Sequence, residues 1–233
     1  MGMFLSLSGI IGKTQNEVAQ CLARYCEASE GGLMKEYLDA EHNNCCVIKE
    51  AHDNTVVYYP SGFIEWEQSS VFLSKELNAP VFSFHVHDGD LWMYVLFVNG
   101  AIVDQFNPIP EYWDENIGEE EIVSWRGNAT TVAKYVPGLK PESIQKYLVS
   151  WDIDEETKKA YETDEFVNEY WQLTDFMKKV GLTYPFDSNN NSTGTTYKLW
   201  TTQLRLRPPK SQTGKPSPLE NASVQRKWWK FWK

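Results

Sequence analysis

The stretch PVFSFHVHDGDLWMYVLFVNGAIVDQFNPIPEYW, residues 80–113, decides how the chain is read. Val81 to His87 alternates. Phe82, Phe84 and Val86 point one way and Ser83, His85 and His87 the other, which is the period of a strand with one buried face. Asp88-Gly89-Asp90 is a turn signal. Leu91 to Val98 is almost wholly apolar, as expected of a central strand covered on both faces. Asn99-Gly100 suits a two-residue type I′ hairpin, because both central positions need positive φ. Ala101 to Phe106 returns as a third strand. Asn107-Pro108-Ile109-Pro110 ends it, since proline fixes φ and removes a ladder donor. The stretch predicts a three-stranded meander.

Upstream, Phe4 to Ile11 reads as a first strand. Thr14 and Glu17 have the spacing of a capping box, and Val18, Cys21, Leu22, Tyr25 and Cys26 then share one helical face. Gly31-Gly32 breaks that helix, and residues 33–43 read as a link or a short helix. Cys45 to Ala51 and Thr55 to Tyr59 form a hairpin through His52-Asp53-Asn54. A second helix covers 65–78, with Trp66, Leu73 and Leu77 on one face. The elements preceding and opening the meander follow a ferredoxin-like βαββαβ order, extended by two antiparallel strands. The fold class expected over 1–110 is α+β, with both helices on one face of the sheet. A helical region is expected over 111–185, packed on or beside the sheet. It has a short helix at 130–135, helical spacing at Ile144, Tyr147, Leu148 and Trp151, and a longer helix over about 164–180. Residues 186–223 read as flexible linker, interrupted by the apolar patch YKLWTTQLRL at 197–206, in which a short strand or docking segment could form.

The run HDGDLWMYVLFVNGAIVDQFNPIPEYW (87–113) resembles a motif of uncharacterised bacterial proteins. These carry a similar Asp-x-Asp turn, aromatic strand and glycine hairpin, then Asn, Pro and an aromatic pair. The resemblance spans roughly 55–185 and is tightest over 84–113. It implies a discrete folded module. It implies no activity and carries over no functional residue.

Net charge divides unevenly along the chain. Residues 201–233 hold eight Lys and Arg against one Glu, a net of +7, which leaves the first 200 residues at −17 of the total −10. An acidic body disfavours nucleic acid as a partner and favours a basic protein. No run of 18 apolar residues marks a membrane span, and the first residues lack the pattern of a signal peptide. The expected location is cytoplasmic, and Cys21, Cys26, Cys45 and Cys46 are expected to be reduced and packed.

Three sets of residues are candidates for chemistry. His85 and His87 could present two imidazoles to one divalent metal, with a carboxylate from Asp88 or Asp90 and a third ligand from His42 or His52. The alternative is a polar strand face beside a turn. Asp88 and Asp90 could equally act as general acid and base, or simply bond their own backbone. Trp92, Tyr94, Phe106, Tyr112 and Trp113 form a dense aromatic group that reads first as core. Tyr112 and Trp113 lie outside the strands and are the better surface candidates. Finally, in the basic tail 224–233, RKWWKFWK (226–233) interleaves cations with Trp228, Trp229, Phe231 and Trp232, which reads as plain chain-end disorder, as a membrane-interface anchor, as a nucleic-acid contact or as a segment docking on a protein or on the acidic body. The preferred reading is a non-enzymatic cytoplasmic binding protein of immunity or antitoxin type, whose acidic body recognises a protein. The alternatives are a metal-dependent hydrolase using His85, His87, Asp88 and Asp90, and a peripheral membrane protein held by its tail.

Overall fold

The computed structural model describes residues 4–35, 45–88, 91–151 and 171–205. The tail 226–233, Gly89, Asp90 and His42 lie outside them. Eight strands form one antiparallel sheet: β1 (Leu5–Ile10), β2 (Gly32–Lys35), β3 (Cys46–Ala51), β4 (Asn54–Tyr58), β5 (Val81–His87), β6 (Leu91–Val98), β7 (Ala101–Phe106) and β8 (Thr195–Trp200). Their order is β2-β8-β3-β4-β1-β5-β6-β7. Two helices, α1 (Gln15–Ala28) and α2 (Trp66–Leu77), lie in the gaps β1–β2 and β4–β5.

Local chemistry sets these elements. Thr14 accepts from the Glu17 amide while the Glu17 carboxylate accepts from the Thr14 amide, so the expected capping box starts α1. Asn78 ends α2 in the left-handed region, which asparagine tolerates. Two hairpins turn on residue pairs of positive φ, His52 (52°) with Asp53 (62°) and Asn99 (53°) with Gly100 (78°). That is the twist a tight antiparallel connection needs. The meander stands as expected, β5 pairing β6 and β6 pairing β7.

Each face of the sheet carries its own apolar layer. On one, Val18, Cys21, Leu22 and Cys26 of α1 and Trp66 and Leu73 of α2 pack on Ile10, Ile48, Val57 and Val81. On the other, Phe82, Phe84, Trp92, Tyr94 and Phe106 meet α4 (Ala129–Tyr135) and α5 (Trp171–Lys179) through Val132, Leu173, Phe176 and Met177. Helices on both faces explain why β6 is buried along nearly its whole length. A short helix, α3 (Glu119–Ser124), precedes α4, and α6 (Thr202–Arg205) follows β8.

Three expectations are corrected. Residues 32–35 form β2, whose pairing partner is β8; neither a link nor a short helix occupies them. The span 186–223 is not linker throughout: the short strand that the apolar patch 197–206 allows is present as 195–200, which begins two residues before the patch and enters the sheet between β2 and β3. Ser83 and His85, assigned to a polar face, are buried at 1% and 6% exposure. They are covered by α2, whose Ser70 hydroxyl meets Ser8 and Ser83 and whose Trp66 indole lies on His85. The helical spacing over 144–151 is met by 3₁₀ turns, Pro141–Ser143 and Gln145–Tyr147. Of the helix expected over 164–180, Trp171–Lys179 is described.

Candidate functional site

Beneath the start of α2 lies a layer of polar side chains. Ser8 Oγ is within 2.6 Å of Tyr59 Oη and 2.7 Å of Ser70 Oγ, and Ser70 donates to Ser83 at 2.9 Å. Tyr59 also meets Ser69 at 2.9 Å. Along the same face, Ser6 Oγ and His85 Nδ1 are 2.9 Å apart, placed as cross-strand partners by the β1–β5 register. The Trp66 indole lies flat on the His85 ring, with centroids 4.9 Å apart and planes 2° from parallel. Burial lowers the pKa of His85 to about 3, and neighbouring His87 adds to the fall. A Ser–His pair at hydrogen-bond distance is thus present, but the imidazole is a poor proton acceptor and an indole covers it. Its role is to satisfy Ser6 and support Trp66.

His87, one pleat further, is half-buried and joins the aromatic residues beyond the meander. Its ring meets Tyr112 at 5.5 Å, Trp113 at 5.1 Å and Phe4 at 4.9 Å, all edge to face. Tyr112 and Trp113 pack against each other at 5.2 Å. The loop that carries them is pinned at its base. Buried Asn107 accepts from the Ile109 amide at 2.9 Å and donates its own amide to the Trp125 carbonyl at 2.9 Å. Pro110–Tyr112 then forms a 3₁₀ turn, and Leu91, Met93 and Ile109 sit beneath as a small apolar cluster. Phe4 is 53% exposed, while Tyr112 and Trp113 keep part of their surface open.

Acidic residues neighbour this face in sequence. Asp88, Glu111 and Glu115 are exposed and Asp114 is half-exposed. The ion pairs among the described residues, Lys13–Glu17 and Arg24–Glu76, involve none of the four. Asp88 sits at φ 53°, the left-handed conformation expected of a turn aspartate, and Asp114 accepts from the Asn116 amide.

No family model, curated protein or solved structure matches this chain.

The site therefore rests on its own chemistry. Of the residues singled out in the sequence, His87, Tyr112 and Trp113 come together, with Asp88 next to His87. His85 lies behind them, its ring 5.8 Å from that of His87. Among the described residues, no three His, Cys, Asp or Glu side chains group so as to hold a metal ion. His85 is buried and bonded to Ser6, and His87 packs among aromatic rings. Trp92, Tyr94 and Phe106 are core, as preferred. The four cysteines are free and buried, and burial raises their thiols, Cys21 to about 11 and Cys26 to about 12, which suits packing rather than nucleophilic attack.

Phe4, Ser6 and Trp66 belong to this region and carry no single-residue signal. A weak joint signal exists. Small polar residues recur at matching positions on three elements, Ser6-x-Ser8, Ser83-x-His85 and Ser69-Ser70, and they face one another in the fold.

Proposed function

We propose that the chain is a binding protein that takes a basic protein partner on the His87–Tyr112–Trp113 face. The observation that carries this reading is the convergence of three partly open aromatic rings, on residues next or near in sequence to the acidic Asp88, Glu111, Asp114 and Glu115, which form no ion pair among the described residues. Tyr and Trp are the favoured anchors of protein interfaces. Neighbouring carboxylates steer a cationic partner and set the salt dependence of its arrival. The fold underneath is read as ferredoxin-like. The order β3-β4-β1-β5 with α1 and α2 on one face supports that reading, with β6–β7 added at one edge and β2–β8 at the other. Among the described residues, no helix is long and apolar enough to cross a membrane.

The reading is tested by affinity capture on immobilised full chain, comparing wild type with Trp113→Ala and Tyr112→Ala at low and raised salt. Melting temperatures serve as the folding control. A partner retained by wild type and lost from folded variants and at high salt is the expected result. Equal retention by all three proteins would overturn it.

A further inference from the structure

We infer that the aromatic face also receives a segment of this same chain, the basic aromatic run Arg226–Lys233. The inference rests on the reading of that face as a binding surface and names its intramolecular occupant. Charge complementarity is the first argument. Glu111, Asp114 and Glu115 flank Tyr112 and Trp113 without ion pairs among the described residues, while RKWWKFWK supplies Arg226, Lys227, Lys230 and Lys233. Ring chemistry is the second. The face offers Trp, Tyr and His edges and faces, and the segment brings Trp228, Trp229, Phe231 and Trp232. Cations over the faces of such rings are attracted by the ring quadrupole.

Reach is the third argument. The last described element ends at Arg205, and 20 residues, rich in Pro and Ser, separate it from Arg226. Fully extended, that length of chain spans at most about 70 Å. A folded body of this size has a radius of gyration of about 17 Å. The run therefore reaches much of the surface, and the aromatic face with its acidic neighbours in sequence is the patch whose chemistry matches it. Tethering raises its effective concentration to roughly the millimolar range, so a weak contact suffices for occupancy. An external partner then has to displace it.

The test uses the full chain and needs no external partner. Isotopically light and heavy chains are mixed, treated with a zero-length carbodiimide that joins Lys amines to carboxylates, and the monomer fraction is mapped by mass spectrometry. The expected products are light–light and heavy–heavy links from Lys227 or Lys230 to Glu111, Asp114 or Glu115. They should fall roughly fivefold or more at about 0.5 M salt, where the screening length shrinks to about 4 Å. They should fall similarly in Trp228→Ala/Trp229→Ala/Phe231→Ala/Trp232→Ala, which keeps every lysine and leaves the folded body unaltered, and in folded Trp113→Ala. Any of three results overturns the inference: links spread evenly over other acidic positions such as Glu27 and Glu76, loss with salt but not with the aromatic substitutions, or no links. Links confined to mixed-isotope dimers would make a second copy the occupant and also overturn it. None of these outcomes bears on whether an external partner binds, which the capture experiment reads separately.

Discussion

At the scale of single residues, buried His85 and partly buried Glu67 bend the pH dependence of stability in opposite directions. His85 takes a proton only near pH 3 in the folded chain and near 6.5 once unfolded. The unfolded state binds more protons between those values, so stability is lost as pH falls from 6.5 towards 3. Substituting His85→Phe keeps a ring for Trp66 to stack on and should remove that slope, as read from thermal melts by circular dichroism across acid pH. A slope unchanged in the variant would mean that His85 is not the neutral buried group described. Glu67 works the other way. Burial raises its carboxyl from 4.5 to about 7, so the folded state holds its proton longer and stability declines as pH rises through that window. Glu67→Gln should raise the melting temperature at about pH 8 and leave it nearly unchanged at about pH 4, where both forms are neutral. A lower melting temperature at the higher pH would refute this. The alternation of Val81–His87 made strand β5 legible, yet it assigned His85 to an open face. Burial of that face depends on Ser69 of α2 meeting Tyr59 and on Ser70 meeting Ser8 and Ser83. Nothing in a local period reveals such a contact between distant hydroxyls.

Elements divide by how local their cause is. The capping box of α1 and the Asn99-Gly100 hairpin were legible because a few neighbouring residues determine them. The β2 strand was not. It has four residues, no alternation in burial and Met34 at 48% exposure, and its partner β8 comes about 160 residues later. The β2–β8 pair depends on close approach at Gly31, where an added Cβ would stand 1.9 Å from the Trp200 carbonyl oxygen. Backbone cannot yield there as a flexible side chain can. Gly31→Ala is therefore expected to detach this edge selectively. Hydrogen exchange should quicken at Gly32–Lys35 and Thr195–Trp200 while the β5–β6 amides keep their protection. Uniform loss of protection, or none, would be inconsistent with this view. At the candidate site, the 3₁₀ turn and the Asn107 anchor follow from Asn-Pro and Pro chemistry in the sequence. Phe4 reaches His87 only through the β1–β5 register, which no local pattern encodes.

For the molecule as a whole, the decisive contact is between the sheet and its second helical layer. Phe176 of α5 is fully buried and meets Phe82, Phe84, Trp92, Tyr94 and Tyr147 at centroid distances of 5.2–6.3 Å. Polar bonds fix the same layer: Trp92 donates to Gln172, Tyr147 to Asp175, and Tyr94 to Asp104, which also accepts from the Asn128 amide. Phe176→Ala should cost about 3–5 kcal/mol in urea denaturation, the range for a buried phenylalanine whose cavity cannot collapse. A cost below about 1 kcal/mol would show that the layer rests on the sheet without depending on it.

The place of β8 has a consequence for biosynthesis. Strand β2 is made early, yet its hydrogen-bonding partner is Thr195–Trp200, which also covers the outer side of β3. At about 5–20 residues per second, translation from residue 35 to residue 195 takes on the order of ten seconds. During that interval the nascent chain holds a bare strand edge beside an unpaired segment, the geometry that invites wrong pairing with another chain. Completion of the sheet is thus timed by the ribosome, and a chaperone that shields β3 during those seconds would protect this protein more than one that acts after release.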